Sequence, residues 1–167
     1  MIQLDIQQIN RNAPYLVRNS KKENYFDFAS ESEVRYSVGF DPDDLISSDD
    51  SYQLIIVNVN HKTSPRDAKV RDTIMSIIDE FFRENDVTML YICETSDGKQ
   101  KMRSRLFEYW FSTYKYKSDF VLMSSSIRDS EGIDNYATII LKKSNPALKS
   151  VIEEFTDTIT ILNSKPE

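Results

Sequence analysis

The sequence predicts an α+β domain in which a mixed, mostly antiparallel β-sheet packs with three helices in the order β-β-β-α-β-α-β-β-α. Residues 24–40 and 120–142 each read as two strands joined by a polar turn, which indicates two β-hairpins. The run YQLIIVNV at 52–59 is almost continuously apolar, as is typical of a strand covered on both faces. Helical spacing of apolar residues follows this strand and the strand at 87–93, and returns near the C-terminus.

Length and composition are those of one globular domain. The chain has 167 residues, of which 40% are hydrophobic and 29% charged, so it is long enough to bury a core without disulfides or metal ions. A single domain over residues 1–167 is therefore expected. Residues 1–23 show no long periodic pattern, and we expect a short leading strand or arm there.

Charge and cysteine content restrict the environment and the partners. A net charge of −6 argues against general nucleic-acid binding, which needs a basic surface. No apolar run approaches the ~18 residues of a membrane span, and the N-terminus lacks the basic start and apolar stretch of a secretory signal. The single cysteine, Cys93, cannot form an internal disulfide, so a cytoplasmic location is expected.

Scarce residue types exclude several ligand sites. Only three glycines are present, whereas a P-loop or a GxGxxG turn needs several close together. One histidine and one cysteine exclude the usual zinc sites. Five aspartates between 41 and 50 do not have the spacing of an EF-hand calcium loop, and a solvated turn with Asx-type bonds is favoured. No metal site is predicted.

The first predicted helix follows the strand at 52–59. Ser64 is the expected N-cap, with Pro65 in the first turn and Asp67 as the capping acid. Asn85 and Asp86 end the helix, and the next strand completes a strand-helix-strand unit whose strands are expected to be parallel. The inward apolar residues are Val70, Ile74, Ile77, Ile78, Phe81 and Phe82.

The second and third predicted helices flank the second hairpin. Asp97 is the expected N-cap of the second helix, with Gln100 completing a capping box. Asn145 and Pro146 are expected to cap the third. The predicted inward residues of the second helix are Met102, Leu106 and Trp110 with Phe107, Phe111 and Tyr114; those of the third are Leu148, Val151, Ile152, Phe155, Ile159 and Leu162.

A basic segment begins the second helix. Lys99, Lys101, Arg103 and Arg105 occupy alternate positions, and residues 99–117 carry six cations against one acid, a local charge of +5 in a chain of −6. This reversal could face an acidic partner, with a protein favoured over a nucleic acid. The alternative is a solvated helix face that screens the acidic loops.

Glu94 and Asp97 lie beside Lys99 and could act as paired carboxylates, one a general base and the cation an orienting group. The simpler roles, Asp97 as a helix cap and Glu94 as a rim charge, are favoured.

Four pieces of the chain resemble a group of small bacterial proteins of unknown function. They are YFDF (25–28), YSVGF (36–40), YICE with SDGKQ (91–100) and RLFEYWF (105–111). The resemblance spans most of the chain, but that group has no established activity to carry over.

The order of strands and helices also resembles, more distantly, the GCN5-related N-acetyltransferase fold. The resemblance implies that coenzyme A pyrophosphate would meet the helix that begins in HKTSPRDAKVR (61–71), where Arg66 and Lys69 supply positive charge. That segment has no glycine for a close phosphate approach. Phe107 stands where the family often has the tyrosine that protonates the thiolate. The resemblance therefore implies the scaffold without the standard active site.

Two functions remain open from the sequence. The first is a non-catalytic cytoplasmic module without a cofactor that binds a protein or anionic partner through residues 94–105. The alternative is a divergent N-acyltransferase that uses acetyl-CoA or another acyl-CoA near Pro65. The residues expected to bind a ligand or partner are Arg66, Lys69, Glu94, Asp97, Lys99, Arg103 and Arg105.

Overall fold

A computed structural model describes residues 2–63, 65–93 and 95–164. These residues form an α+β fold with four α-helices and a seven-stranded, mostly antiparallel sheet in the order β1-β2-β3-β4-β5-β7-β6. The elements are α1 (Ile6–Asn12), β1 (Arg18–Asn19), β2 (Tyr25–Ala29), β3 (Arg35–Asp43), β4 (Ser51–Asn58), α2 (Ala68–Glu84), β5 (Thr88–Ile92), α3 (Gln100–Ser112), a 3-10 turn (Lys117–Asp119), β6 (Phe120–Arg128), β7 (Asp134–Lys142) and α4 (Leu148–Ser164).

The expected count of three helices is wrong, because the N-terminal region contains helix α1. Asp5 is its N-cap and accepts a hydrogen bond from the Gln7 amide at 2.9 Å, and Ile9 is its one buried residue. Seven residues with a single buried position are too few to show a helical period in the sequence. Of the short leading strand or arm that was expected there, the strand is the two-residue β1.

The chain divides into two compact units. Unit 1 comprises Met1–Asp41 and Leu54–Asp86, and unit 2 comprises Pro42–Gln53 and Val87–Glu167. None of the helices in the part of the chain that the structure describes is both long and apolar enough to cross a membrane.

Unit 1 is built on the predicted first hairpin. Strands β2 and β3 pair antiparallel from Tyr25 opposite Gly39 to Ala29 opposite Arg35. Side chains two residues apart on a strand point to the same face, so Phe26 and Phe28 are buried on one face of β2. The inner face of α2 is as predicted: Val70, Ile74, Ile77, Ile78, Phe81 and Phe82 are all buried, and Phe81 stacks on Phe40 with ring centroids 4.3 Å apart.

Two details of unit 1 differ from prediction. Helix α2 begins at Ala68 with Asp67 as its N-cap, one turn later than a start at Ser64 would give, and Ser64 itself lies outside the described residues. The second half of β4 is not covered on both faces, because Val57 is 40% exposed although Leu54 is buried.

Unit 2 contains the predicted parallel pair and the second hairpin. Residues 51–53 of β4 pair in parallel with residues 88–90 of β5, and β5 and β6 both pair antiparallel with β7. Helix α4 covers this sheet from one side. The buried cluster consists of Val151, Phe155 and Ile159 from α4 with Ile46, Leu90, Ala137, Ile139 and Leu141.

The acidic loop before β4 is tied to α4 by a carboxylate. Glu154 accepts hydrogen bonds from the amides of Ser47 and Ser48 at 2.8 Å and 2.9 Å and from both serine hydroxyls. The Ser48 hydroxyl is the largest cause, ahead of the Ser47 amide, of a pKa of about 2 for Glu154, below its usual 4.5. The Asx-type bonds predicted for this loop are present, for example from the Leu45 amide to Asp43 at 2.7 Å.

Replacing Glu154 with glutamine should make this tie insensitive to acid. Because the folded pKa is depressed, the carboxylate stabilises the fold above about pH 4.5, and this contribution is lost as the pH falls toward about 2. Urea unfolding at pH 7 should show that Glu154→Gln is less stable by about 1–2 kcal/mol.

The difference between Glu154→Gln and the wild type should shrink between pH 4.5 and pH 2, near the two pKa values of the carboxylate. The matched control is Glu153→Gln on the same helix, whose side chain is 64% exposed and should contribute less than about 0.5 kcal/mol. A difference that stays constant across this pH range would contradict the assignment.

Candidate partner-binding site on helix α3

The turn before α3 is held by an ion pair that the sequence did not predict. Gly98 has φ of 71°, a left-handed conformation that glycine adopts without strain. Asp97 accepts a hydrogen bond from the Lys99 amide at 3.1 Å and receives the Arg103 guanidinium on both carboxylate oxygens. Arg103 is the main reason that the pKa of Asp97 lies well below its usual value.

Asp97 is therefore not the N-cap that was expected. The cap position is Lys99, which makes no side-chain capping bond, and the helix begins at Gln100. The Gln100 side chain donates instead to the Asp134 carbonyl at 2.9 Å, so it fixes the start of α3 to the end of the neighbouring hairpin. Asp97 and Arg103 act together as a clamp between the turn and the first turns of the helix.

The buried face of α3 is formed by Ser104, Phe107 and Phe111. Phe107 packs on Tyr91 of β5 with ring centroids 4.4 Å apart, and Phe111 meets Phe120 edge-on at 5.8 Å. Ser104 is 4% exposed and shares a side-chain hydrogen bond with Cys93, a contact that a purely apolar pattern does not reveal.

The inward stripe predicted for α3 is partly wrong. Phe107 and Phe111 are buried as expected, but Met102 is 59% exposed, Leu106 is 41% exposed and Trp110 is only half-buried. Each helical residue turns the side chain by about 100°, so a face centred on 104, 107 and 111 places 102 and 106 toward solvent. The spacing of four residues does not separate the two faces, because Met102, Leu106 and Trp110 share it with Phe107 and Phe111.

The solvent side of α3 carries apolar residues flanked by cations. Met102, Leu106 and Tyr109 follow one another at i, i+4 and i+7 and are 59%, 41% and 59% exposed. Lys101 and Arg105 are exposed beside them and form no ion pair with any residue that the structure describes. We call these five residues the α3 outer face. Tyr109 was not singled out from the sequence.

The residues expected from the sequence to bind a ligand or partner separate into three groups. Lys99, Arg103 and Arg105 lie on or next to the first turns of α3, with Asp97 beside them. Glu94 lies outside the described residues. Arg66 and Lys69 belong to unit 1.

The start of α2, where the acetyltransferase resemblance would put a pyrophosphate, is closed by the chain's own groups. Asp67 accepts from the Lys69 amide at 2.8 Å and from the Tyr15 hydroxyl at 2.6 Å. The Tyr15 hydroxyl in turn accepts from the Glu31 amide at 3.3 Å, and Lys69 pairs with the Glu31 carboxylate at 2.6 Å. The Tyr15 bond is the main cause of the lowered pKa of Asp67. An anion here would meet two carboxylates.

Cys93 lies under α3 and has the environment of a core residue. It is 4% exposed, and burial raises the pKa of its thiol. Burial is also the main reason that the pKa of Tyr91 rises to about 12. Residues 2–63, 65–93 and 95–164 contain no group of three or more His, Cys, Asp or Glu side chains arranged to hold a metal ion.

Two comparisons with known proteins gave no match, and one gave a family. Neither the curated proteins nor the solved structures contain a significant match to this chain. A family model described as a family of unknown function (DUF6169) matches residues 66–157, which is more than half of the 167 residues. The matched segment includes α2, α3 and the second hairpin.

The burial of Cys93 gives a direct prediction. Thiolates react with disulfide reagents, so a buried thiol of raised pKa should react slowly. With dithiobis-nitrobenzoate at pH 7, labelling of the native chain should be at least ~100-fold slower than labelling in denaturing urea. A native rate within about tenfold of the unfolded rate would show that the thiol is accessible and would contradict its assignment as a core residue.

Proposed function

The chain belongs to the family of unknown function DUF6169, and we propose that it acts as a non-catalytic module that binds an acidic protein partner through the α3 outer face. The observation that carries the proposal is the exposed row of Met102, Leu106 and Tyr109 beside two cations that form no ion pair within the described ranges. The cytoplasmic location expected from the single cysteine is part of the same proposal.

The composition of the α3 outer face suits a protein interface. Met, Tyr and Arg are enriched in interface cores, and binding energy concentrates in a few aromatic and Arg residues that become desolvated. Tyr109 and Arg105 are the strongest candidates for such anchors. Met102 adds a flexible apolar contact that adapts to an irregular partner.

The positive charge of residues 99–117 would orient an approaching partner. The +5 segment 99–117 stands in a chain of −6, so an acidic surface would be drawn to this segment and repelled elsewhere. A protein fits better than a nucleic acid, because three large apolar side chains have no counterpart in a phosphate backbone. The pair of Asp97 and Arg103 would position the helix without contacting the partner.

The alternative, an N-acyltransferase with an acetyltransferase-like topology that uses an acyl-CoA, has one feature in its favour. The Arg66 side chain is exposed just before α2, where a phosphate could approach it. Against it, Asp67 already accepts from the Lys69 amide, and Lys69 is engaged by Glu31. A bound pyrophosphate would have to displace the first interaction and tolerate the second carboxylate.

Loss of a captured partner should follow changes on the α3 outer face. The tagged chain is expressed in its source cells, and copurifying proteins are quantified for wild type, for the charge variant Lys101→Glu with Arg105→Glu, and for the apolar variant Met102→Ser with Tyr109→Ser. Both variants should reduce recovery of a specific partner by at least about tenfold, and the purified partner should bind wild type directly.

Matched controls lie on α4, where Lys149 has a side chain 89% exposed and Ile161 is 59% exposed. Lys149→Glu and Ile161→Ser change the same kinds of residue and should leave capture unchanged. Equal recovery by wild type and both α3 variants, or equal loss in the α4 controls, would contradict the proposal.

Coenzyme A separates the two candidate functions. If the module proposal holds, coenzyme A or acetyl-CoA at about 1 mM should leave the unfolding temperature unchanged, because only a ligand of the native state raises it. A concentration-dependent rise that is abolished by Arg66→Gln but not by Arg11→Gln, an exposed arginine on α1, would favour the acyltransferase.

A further inference from the structure

The face of the unit 1 sheet opposite the phenylalanine core brings together three charged side chains. Arg18 of β1 is the direct cross-strand partner of Asp27 on β2, so their side chains share a face. Ala29 lies two residues after Asp27 and pairs with Arg35 of β3, so Arg35 is on that face too. The buried Phe26 and Phe28 point the other way.

Arg18, Asp27 and Arg35 line a cavity of about 400 Å³, within the range of small-molecule sites. The two arginines are on strands either side of β2, roughly 10 Å apart across two strand spacings, a span that their long side chains can close. Leu16 and Val59, 64% and 45% exposed, form apolar walls. The full lining is Leu16, Arg18, Asp27, Phe28, Ala29, Arg35, Tyr36 and Val59.

One oxygen of the Asp27 carboxylate has no donor in the part of the chain that the structure describes. Oδ1 of Asp27 is buried and has no hydrogen-bond partner among the residues that the structure describes. Burying a polar oxygen without a donor is unfavourable, and buried polar atoms without a partner are uncommon in proteins. Neither Arg18 nor Arg35 forms an ion pair within the described ranges, so neither of the neighbouring cations satisfies this oxygen.

We propose that this cavity binds a free acidic α-amino acid. Its ammonium group would donate to Asp27, and its two carboxylates would each meet one guanidinium, the planar donor that matches a carboxylate. The charges balance, because two arginines and one aspartate leave the site at +1 and an acidic amino acid carries −1. The apolar walls of Leu16 and Val59 would contact the methylene groups. This site lies in unit 1 and does not rest on the role proposed for α3.

The test is calorimetric titration of the full chain with L-glutamate and L-aspartate, each with two comparison compounds. Glutarate and succinate lack the ammonium group of L-glutamate and L-aspartate, and L-glutamine and L-asparagine lack one carboxylate. At least one of the two acidic amino acids should bind with a Kd below about 1 mM, and its comparison compounds should bind at least about tenfold more weakly.

Variants connect binding to the three charges. Asp27→Asn should remove the preference for L-glutamate over glutarate, and Arg18→Gln or Arg35→Gln should weaken binding of the acidic amino acid at least about tenfold. Asp86→Asn and Arg11→Gln, at exposed positions of unit 1 outside the cavity, are the matched controls and should bind as wild type does.

Folding of each variant is checked by circular dichroism. If Asp27→Asn does not fold, the two arginine variants and the glutarate comparison still decide the outcome. A Kd above about 1 mM for both acidic amino acids, or no binding as judged by heat and by the unfolding temperature at about 10 mM, would overturn the proposal. Binding that is the same in wild type, Arg18→Gln and Arg35→Gln would also overturn it.

Discussion

The packing of Phe107 against Tyr91, with ring centroids 4.4 Å apart, fixes the rotation of helix α3 about its axis. Ser104 and Phe111 lie on the same side, and residues two positions away are turned by about 200°. Once that side is buried, Met102 and Tyr109 must face solvent. The large apolar residues of α3 therefore lie on two faces of the helix, and Met102, Leu106 and Tyr109 stay exposed.

In unit 1, burial of one face of strand β2 likewise fixes where its other side chains point, because successive side chains of a strand alternate between two faces. Because Phe26 and Phe28 point toward the phenylalanine core, Tyr25, Asp27 and Ala29 point to the opposite face of β2. Tyr25 lies flat over Gly39, where a Cβ would stand 2.3 Å from the ring, so any larger residue at 39 would displace the tyrosine. Tyr25 is therefore buried on this face of β2, and the strand register places Arg18, Asp27 and Arg35 on the same face.

The sequence predicted the elements whose pattern of apolar residues repeats over several helical turns or along a strand. Both hairpins, the parallel pair β4 and β5, and the inner face of α2 are confirmed. Helix α1 was missed because a short helix with one buried residue has no readable period. The position of the α2 N-cap was missed because Ser, Asp and the intervening proline offer several local starts.

The candidate sites were less predictable than the fold, for a physical reason. A helical pattern with apolar residues on two opposite faces leaves the rotation undecided, and only the contact of Phe107 with β5 resolves it for α3. The cavity at Asp27 depends on which residues of β1, β2 and β3 stand opposite one another, and register is set by tertiary pairing rather than by local spacing.

Positive charge in a segment of sequence does not measure its capacity to bind an anion; what matters is which cations remain after internal pairing. Lys69 and Arg103 are held by Glu31 and Asp97, so a ligand that used either would first have to break an existing pair. At the start of α2, the Lys69 amide already donates to Asp67, and Glu31 is an acidic neighbour. On α3 the clamp engages Arg103, whereas Lys101 and Arg105 form no ion pair with the residues that the structure describes. Internal pairing among the described residues therefore differs between the two helices, and this difference is the basis of the function proposed for α3.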